Sequence, residues 1–352
     1  MRRLENYLGW LTRCTPTRWW HDSAIPDEID RAIRNGATGV TTNPVLTYRS
    51  LLAAPEFWRG RVEAIPASLT PGERAEALLR IVAVYAAEQF KGVYEASDHS
   101  LGYALGQVNP DYAGDADRML AQARRYAEWA PNIAIKLPTT RAAVEVVEEL
   151  AASGVAVCTT LNFTVAQALA AAEAYERGAA RAKAAGREVK PCFVVQQGAR
   201  LDEYLIECAK DSRLGIGEDT IRNAGNLVTK KSYDLFKARG YRAKIMPAGL
   251  RGVHYLTRFA GADMVFSLQT RVQDMVNAAE PARTEHIGEP DDPAVLRELL
   301  TIPEFCRAYG EDALTPREFV TYGVTQRTLS QFLWTGWIPL ETYGASGSSR
   351  WF

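Results

Sequence analysis

The sequence predicts an α/β fold, a (β/α)8 TIM barrel with additional helices at its C-terminus, on three observations. Short apolar, β-prone runs alternate with long Ala-rich helical stretches, the pattern of a parallel sheet covered by helices. Eight such units can be counted before residue 267. No nucleotide-type glycine loop follows the first strand, which favours a closed barrel over an open doubly wound sheet.

Strands are expected at Arg18–Asp22, Gly39–Thr42, Gly102–Val108, Ile133–Leu137, Val155–Thr160, Cys192–Val195, Ala243–Met246 and Asp263–Phe266. Helices fall between most of them, at Glu28–Asn35, Glu73–Phe90, Ala116–Trp129, Ala142–Ala152, Val165–Ala185, Asp219–Arg239 and Val253–Phe259. Gly36, Gly154 and Gly240 stand where C-caps belong, and Thr140 and Thr164 where N-caps belong. Leu52–Gly72, with three prolines, reads as an elaborated loop and helix. Beyond Phe266 the pattern is helical only, through Arg271–Asn277, Ala294–Leu300, Pro303–Tyr309 and Pro316–Trp334. The expected organisation is a barrel over residues 1–267 and a helical extension over 268–352 packed on it, one structural domain overall. Gly344–Arg350 reads as a flexible tail.

Composition narrows the class. Apolar residues at 47% and charged residues at 24% leave ample material for a core. A formal charge of −1 offers no broad field for nucleic acid or an anionic membrane, and no apolar run approaches a span. The N-terminus starts basic, yet no uninterrupted apolar stretch follows as a signal peptide would require. Cys14, Cys158, Cys192, Cys208 and Cys306 are scattered and odd in number, which reads as reduced thiols in a cytoplasmic protein. His21, His99, His254 and His286 make no ligand-spaced set, and Glu95, Asp98 and His99 lack a third anchored ligand. No Walker, Rossmann or zinc-finger spacing occurs, so no nucleotide or metal cofactor is implied. Trp334, Trp337 and Trp351 suit packing and subunit contacts, and suggest a homodimer.

The most informative residue is Lys136, in the apolar strand Asn132-Ile133-Ala134-Ile135-Lys136-Leu137-Pro138. Desolvation disfavours an ammonium and makes the neutral amine available for attack on a carbonyl. Near the C-terminal end of its strand, the lysine belongs to the face where barrel enzymes keep their chemistry. A lone strand lysine is by default structural, snorkelling to water or paired with a carboxylate. The surrounding motifs reverse that default. They are Gly39-Val40-Thr41-Thr42-Asn43-Pro44, Ile135-Lys136-Leu137-Pro138 followed by Val155–Thr160, and Phe163-Thr164-Val165-Ala166-Gln167-Ala168. Val93–Ser97 and Gly106–Pro110 accompany them.

In this series, over about residues 18–267, the sequence resembles the transaldolase family. The resemblance implies that Lys136 forms an imine with a sugar or sugar phosphate, that Asp22 holds the proton destined for a sugar hydroxyl, and that Thr160 positions a water. It implies that Asn43, beside Thr42, bonds the donor's hydroxyls, and that Arg200 and Arg251 grip phosphate, which suits a guanidinium fork. Read singly, these residues have plainer roles: a cap, an Asn-Pro turn, a strand threonine, surface ion pairs.

Departures from the family pattern gather around the proton-transfer set. Gln107 stands where ordinary transaldolases carry a glutamate, and an amide cannot take up and return a proton. The related fructose 6-phosphate aldolases have glutamine there, with a tyrosine from the sixth strand. This chain offers Gln196-Gln197 at that strand, with an apparent insertion before Arg200, and Cys158 replaces an asparagine. The expectation is therefore an enzyme transferring a dihydroxyacetone unit between a ketose and an aldose, or their phosphates. A divergent aldolase making or splitting an unusual sugar and a non-catalytic sugar-phosphate-binding barrel are the alternatives.

Overall fold

The computed structural model describes residues 6–345. The Gly344–Arg350 tail lies largely outside them, as do Trp351 and the basic first residues. Among the described residues, seven parallel strands are formed: β1 (Arg18–His21), β2 (Ala104–Gln107), β3 (Ile133–Pro138), β4 (Val157–Asn162), β5 (Cys192–Gln196), β6 (Lys244–Pro247) and β7 (Val265–Leu268). β2 to β6 pair in sequence order, and β7 pairs with β1. The expected second strand, Gly39–Thr42, is reduced to Val40, which bridges His21 on one side and Ala104 on the other. Eight barrel positions are thus filled by seven strands and one bridge.

The interior explains that reduction. Trp20 fills the barrel with Phe193, their rings 4.6 Å apart and edge to face. Gly39 gives way to that indole: a Cβ there would lie 2.5 Å from the Trp20 ring. The remaining interior side chains include Leu105, Ala134, Ala156, Cys158, Val195, Met246 and Val265. Alternation then decides what lies above this apolar floor. Lys136 follows Ala134 by two residues, Gln107 follows Leu105, and Asp22 follows Trp20.

The caps form as expected. Thr140 Oγ1 accepts from Ala143 N at 3.2 Å and Thr164 Oγ1 from Gln167 N at 3.0 Å. Gly36, Gly154 and Gly240 take positive φ. Among the described residues, no helix is long and apolar enough to cross a membrane.

Several elements differ from expectation. The expected Asp219–Arg239 helix is two, Glu218–Ile221 and Ala224–Arg239. The break lets Gly225 meet Gly198 backbone to backbone, where a Cβ on Gly225 would come within 2.4 Å. The expected Pro316–Trp334 helix divides into a 3-10 turn at Phe319–Thr321, a helix at Gly323–Phe332 and a π-helical turn at Leu333–Trp337. Tyr322, extended at ψ 122°, separates the first two. Helices at Tyr7–Cys14, Pro44–Ala53 and Gly198–Asp211 add to the expected set. Leu52–Gly72 is the loop and helix expected, with Pro55 opening a helix, Pro66 in the turn that follows and Pro71 opening the next helix. Pro44 likewise stands at the first position of its helix. Trp337 is buried at 1% exposure against a cluster containing Trp58 and Leu340, whereas Trp334 is 66% exposed. All five cysteines are free thiols.

Candidate active site

At the C-terminal end of the strands a cleft of about 320 Å³ opens. Its wall contains Asp22, Asn43, Lys136, Gln197, Arg200 and Arg251, six residues singled out from the sequence and drawn from five chain segments. Gln107, Thr160 and Cys158 lie in the lysine's own neighbourhood, below the open cleft. The ladders align Gln107 with Lys136 and Lys136 with Cys158, and align Pro138 with Thr160.

Lys136 is only 4% exposed. Burial pushes its amine below the usual lysine range, against the opposing pull of Cys158 and Asp22. Burial likewise raises the Asp22 carboxyl, although Lys136, side-chain hydrogen bonds from Gln269 and Ser267, and Arg200 favour its ionised form. Both shifts run in the same sense, towards a free amine and a protonated carboxyl. Cys158, fully buried, is pushed up to about 12 by desolvation and stays a thiol. Its Sγ therefore adds no negative charge beside the lysine.

The strand after the lysine is locally bent. The β4–β5 register shifts between Thr159 and Asn162, and Leu161 takes φ 62°. The bulge is held by Gln167, whose Nε2 donates to Leu161 O at 2.9 Å and whose Oε1 accepts from Phe163 N at 2.9 Å. Beside the bend, Thr160 Oγ1 is buried with no partner, as is Gln107 Oε1. Two unsatisfied acceptors close to a buried amine are suited to an ordered water.

Arg200 comes from a helix start and Arg251 from the loop after β6. Arg200 sits in the first turn of Gly198–Asp211, where its Nη1 donates to Gln331 Oε1 at 2.7 Å. Burial and the nearby Arg251 lower the Arg200 guanidinium from its usual range, a sign of crowded positive charge. The helix itself is clasped from below. Buried Asp202 accepts from Gly225 N at 2.7 Å and from Tyr255 Oη at 2.5 Å, and burial raises its carboxyl to about 8. Arg251 donates to Glu203 Oε1 and to Gly249 O, both at 2.8 Å.

The other sequence candidates are tied up elsewhere or only partly free. Thr42 Oγ1 donates to the Leu105 carbonyl, so this hydroxyl braces the Val40 bridge against β2. Asn43 Oδ1 caps the Pro44–Ala53 helix through Leu46 N at 2.9 Å, leaving its amide N–H groups for the cleft. Gln196 points outward to Ser232 Oγ at 2.8 Å, while Gln197 faces the cleft with its Oε1 unpartnered. His21 lies on the outer face against Gln273. His99 stacks on Tyr94, 4.4 Å between ring centroids, away from the cleft.

This constellation sits on a barrel whose sequence matches a known profile. The profile of the transaldolase/fructose-6-phosphate aldolase family covers residues 19–300. The chain belongs to this family. Among similar proteins, a transaldolase of Neisseria meningitidis serogroup C is 31% identical over 171 residues, 48% of either chain. Transaldolase 2 of a Nostoc species is 29% identical over 223 residues, 60% of this chain and 58% of the relative. A Thermobifida fusca transaldolase is 28% identical over 206 residues, 54% of each. The chain therefore spans about half the length of the curated relatives it matches.

Sequence reasoning missed Arg49, Ser267, Gln269, Arg271, Gln331 and Phe332, all of which line the cleft. Ser267 and Gln269 continue the inward alternation of Val265, and extending the last strand by two residues would have revealed them. Arg49, Gln331 and Phe332 lie on helices remote from any strand end, and no local pattern marks them.

Proposed function

We propose that the chain is a transaldolase-type enzyme that binds a ketose phosphate and transfers or releases a dihydroxyacetone unit through a Schiff base on Lys136. The observation that carries this reading is a buried lysine at the C-terminal end of a barrel strand, facing one carboxyl group at the floor of an arginine-lined cleft. Among the described residues, Asp22 is the one carboxyl group lining that cleft.

The free amine of Lys136 attacks the ketone carbon. Loss of the carbonyl oxygen as water leaves a protonated imine, and the additional proton comes from the Asp22 carboxyl. The iminium and the Asp22 carboxylate now face each other as a charged pair. Asp22 then takes the proton of the C4 hydroxyl. The C3–C4 bond breaks, its electrons pass to the iminium nitrogen as an enamine forms, and an aldehyde departs. An acceptor aldehyde reverses these steps with Asp22 returning the proton, and hydrolysis frees Lys136. One carboxyl group serves in both stages because Gln107 can hold a water but cannot relay its proton. Arg200 and Arg251 are assigned the phosphate, Asn43 the donor's hydroxyls and Thr160 the water.

Gln107, Cys158 and Gln197 favour a second reading within the same chemistry, in which the sugar is unusual and the standard ketose phosphate is a poor substrate. Borohydride trapping with fructose 6-phosphate, read by peptide mass, tests the first. An adduct on Lys136 that vanishes in Lys136→Ala supports it; trapping that persists in the variant rejects the lysine assignment.

A further inference from the structure

The cleft carries more positive charge than one phosphate group needs. Four arginines line it, Arg49, Arg200, Arg251 and Arg271. Arg200 and Arg251 are held in place by Gln331 and Glu203. Among the described residues, Arg49 and Arg271 have no hydrogen-bond or ion-pair partner. Four guanidinium charges less the Glu203 carboxylate leave three, in a chain whose formal net charge is −1. Lys136 and Asp22 cancel whether the proton sits on the amine or the acid. A local excess of this kind within a concave wall concentrates dianions.

The four arginines are also divided in space. Arg200 and Arg251 follow β5 and β6. Arg271 follows β7, and Arg49 lies on the Pro44–Ala53 helix that follows the Val40 bridge. β7 and Val40 are the two neighbours of β1, so Arg271 and Arg49 follow the elements on either side of the strand that leads into Asp22. Arg271 lies in the first turn of the ten-residue helix Thr270–Ala279, whose N-cap residue Gln269 makes no side-chain cap and lines the cleft. First-turn N–H groups left uncapped are donors suited to an anion.

We propose that Arg49, Arg271 and the start of the Thr270–Ala279 helix form a second anion-binding position, and that the substrate is a sugar carrying an anionic group at each end, a ketose bisphosphate in the simplest case. This rests on the Schiff-base reading for the placement of the sugar between the two positions. Asn43, assigned to the donor's hydroxyls, opens the helix that carries Arg49. The second anion therefore belongs to the three-carbon end that stays on Lys136, and the unit carried is dihydroxyacetone phosphate. The first anion, on the leaving aldehyde, belongs to Arg200 and Arg251. No chemical step changes, because the second phosphate takes no part in bond making.

The test is calorimetric binding of fructose 1,6-bisphosphate and fructose 6-phosphate to the wild type, to Lys136→Ala and to the double variant Arg49→Gln/Arg271→Gln. Arg49 and Arg271 are exposed, so the double variant keeps its fold, and a thermal melt checks this. The expected result is bisphosphate bound ~10-fold or more tightly than monophosphate by wild type and Lys136→Ala alike, with the ratio collapsing towards one in the double variant. Equal affinities, binding of neither sugar, or a preference that survives the double substitution overturns the proposal. A retained preference in a wild type that yields no borohydride adduct supports the second anion position and rejects only the Schiff-base reading.

Discussion

The lysine side of the barrel and the arginine side are built by different means. Lys136, Gln107 and Cys158 are locked by in-register parallel ladders and stand on an apolar floor, so their chemistry is set by dryness. Arg200, Arg251 and Arg271 follow strand ends, and Arg49 lies on a helix; all four stay near water, and the first two each have one side-chain partner, Gln331 and Glu203. A strand positions a nucleophile by backbone hydrogen bonds that no side-chain substitution removes. A helix start positions a guanidinium through one or two side-chain contacts that a substitution can remove. The lysine end of the site is accordingly held by backbone ladders, and the arginine end by side-chain contacts.

If that contrast is right, the largest effect comes from the lysine side. Replacing Lys136 with alanine abolishes imine trapping and lowers turnover by on the order of 10³-fold or more, with a fold that melts normally. Arg200→Gln comes next, raising KM for a phosphorylated substrate by about 10–100-fold while the unphosphorylated sugar is barely affected, because it removes charge-assisted hydrogen bonds to phosphate. Gln107→Glu sharpens the same comparison. A carboxylate aligned with Lys136 stabilises the ammonium, so the pH midpoint of borohydride trapping moves upward from that of the wild type. An unchanged midpoint would mean that the aligned side chains do not sense each other.

Two smaller effects probe the supports. A Cβ on Gly336 would lie 2.7 Å from Val45 N, where the π-helical turn meets the helix opened by Asn43. Gly336→Ala should cost about 1–3 kcal/mol by overpacking and should weaken donor binding along with stability. Asp202, raised from 3.8 to about 8, binds its proton more tightly when folded than when unfolded. Its contribution to stability is therefore full below pH ~4 and falls as pH rises to about 8. Melts taken from pH 5 to 9 should fall less steeply in Asp202→Asn than in wild type.

How far the sequence could be read follows the same division. The strands around Lys136, the caps at Thr140 and Thr164 and the C-terminal glycines follow from local periodicity and local hydrogen bonding, and the structure has them where expected. The second strand does not, because its length is decided by Trp20 occupying the space above Gly39, a contact between distant residues. The Asp219–Arg239 helix breaks for a similar reason, the approach of Gly225 to Gly198. The rim was the least legible part. Gln331 reaches Arg200 across 131 residues, and no pattern near either residue announces the other. Lys136 could be found because an apolar strand makes a lysine conspicuous; Arg49 and Arg271 could not, because arginine on a helix is ordinary.

The central claim is that burial lowers the Lys136 amine below the usual lysine range and makes it a nucleophile beside Asp22. The most direct measurement is the pH dependence of borohydride trapping on Lys136, from pH 5 to 10, in wild type and Asp22→Asn. The account predicts a wild-type midpoint below that of an ordinary lysine, and in Asp22→Asn a slower approach to the adduct because the acid that protonates the nascent imine is gone. A wild-type midpoint at or above the ordinary lysine value, with trapping unaffected by Asp22→Asn, would contradict it.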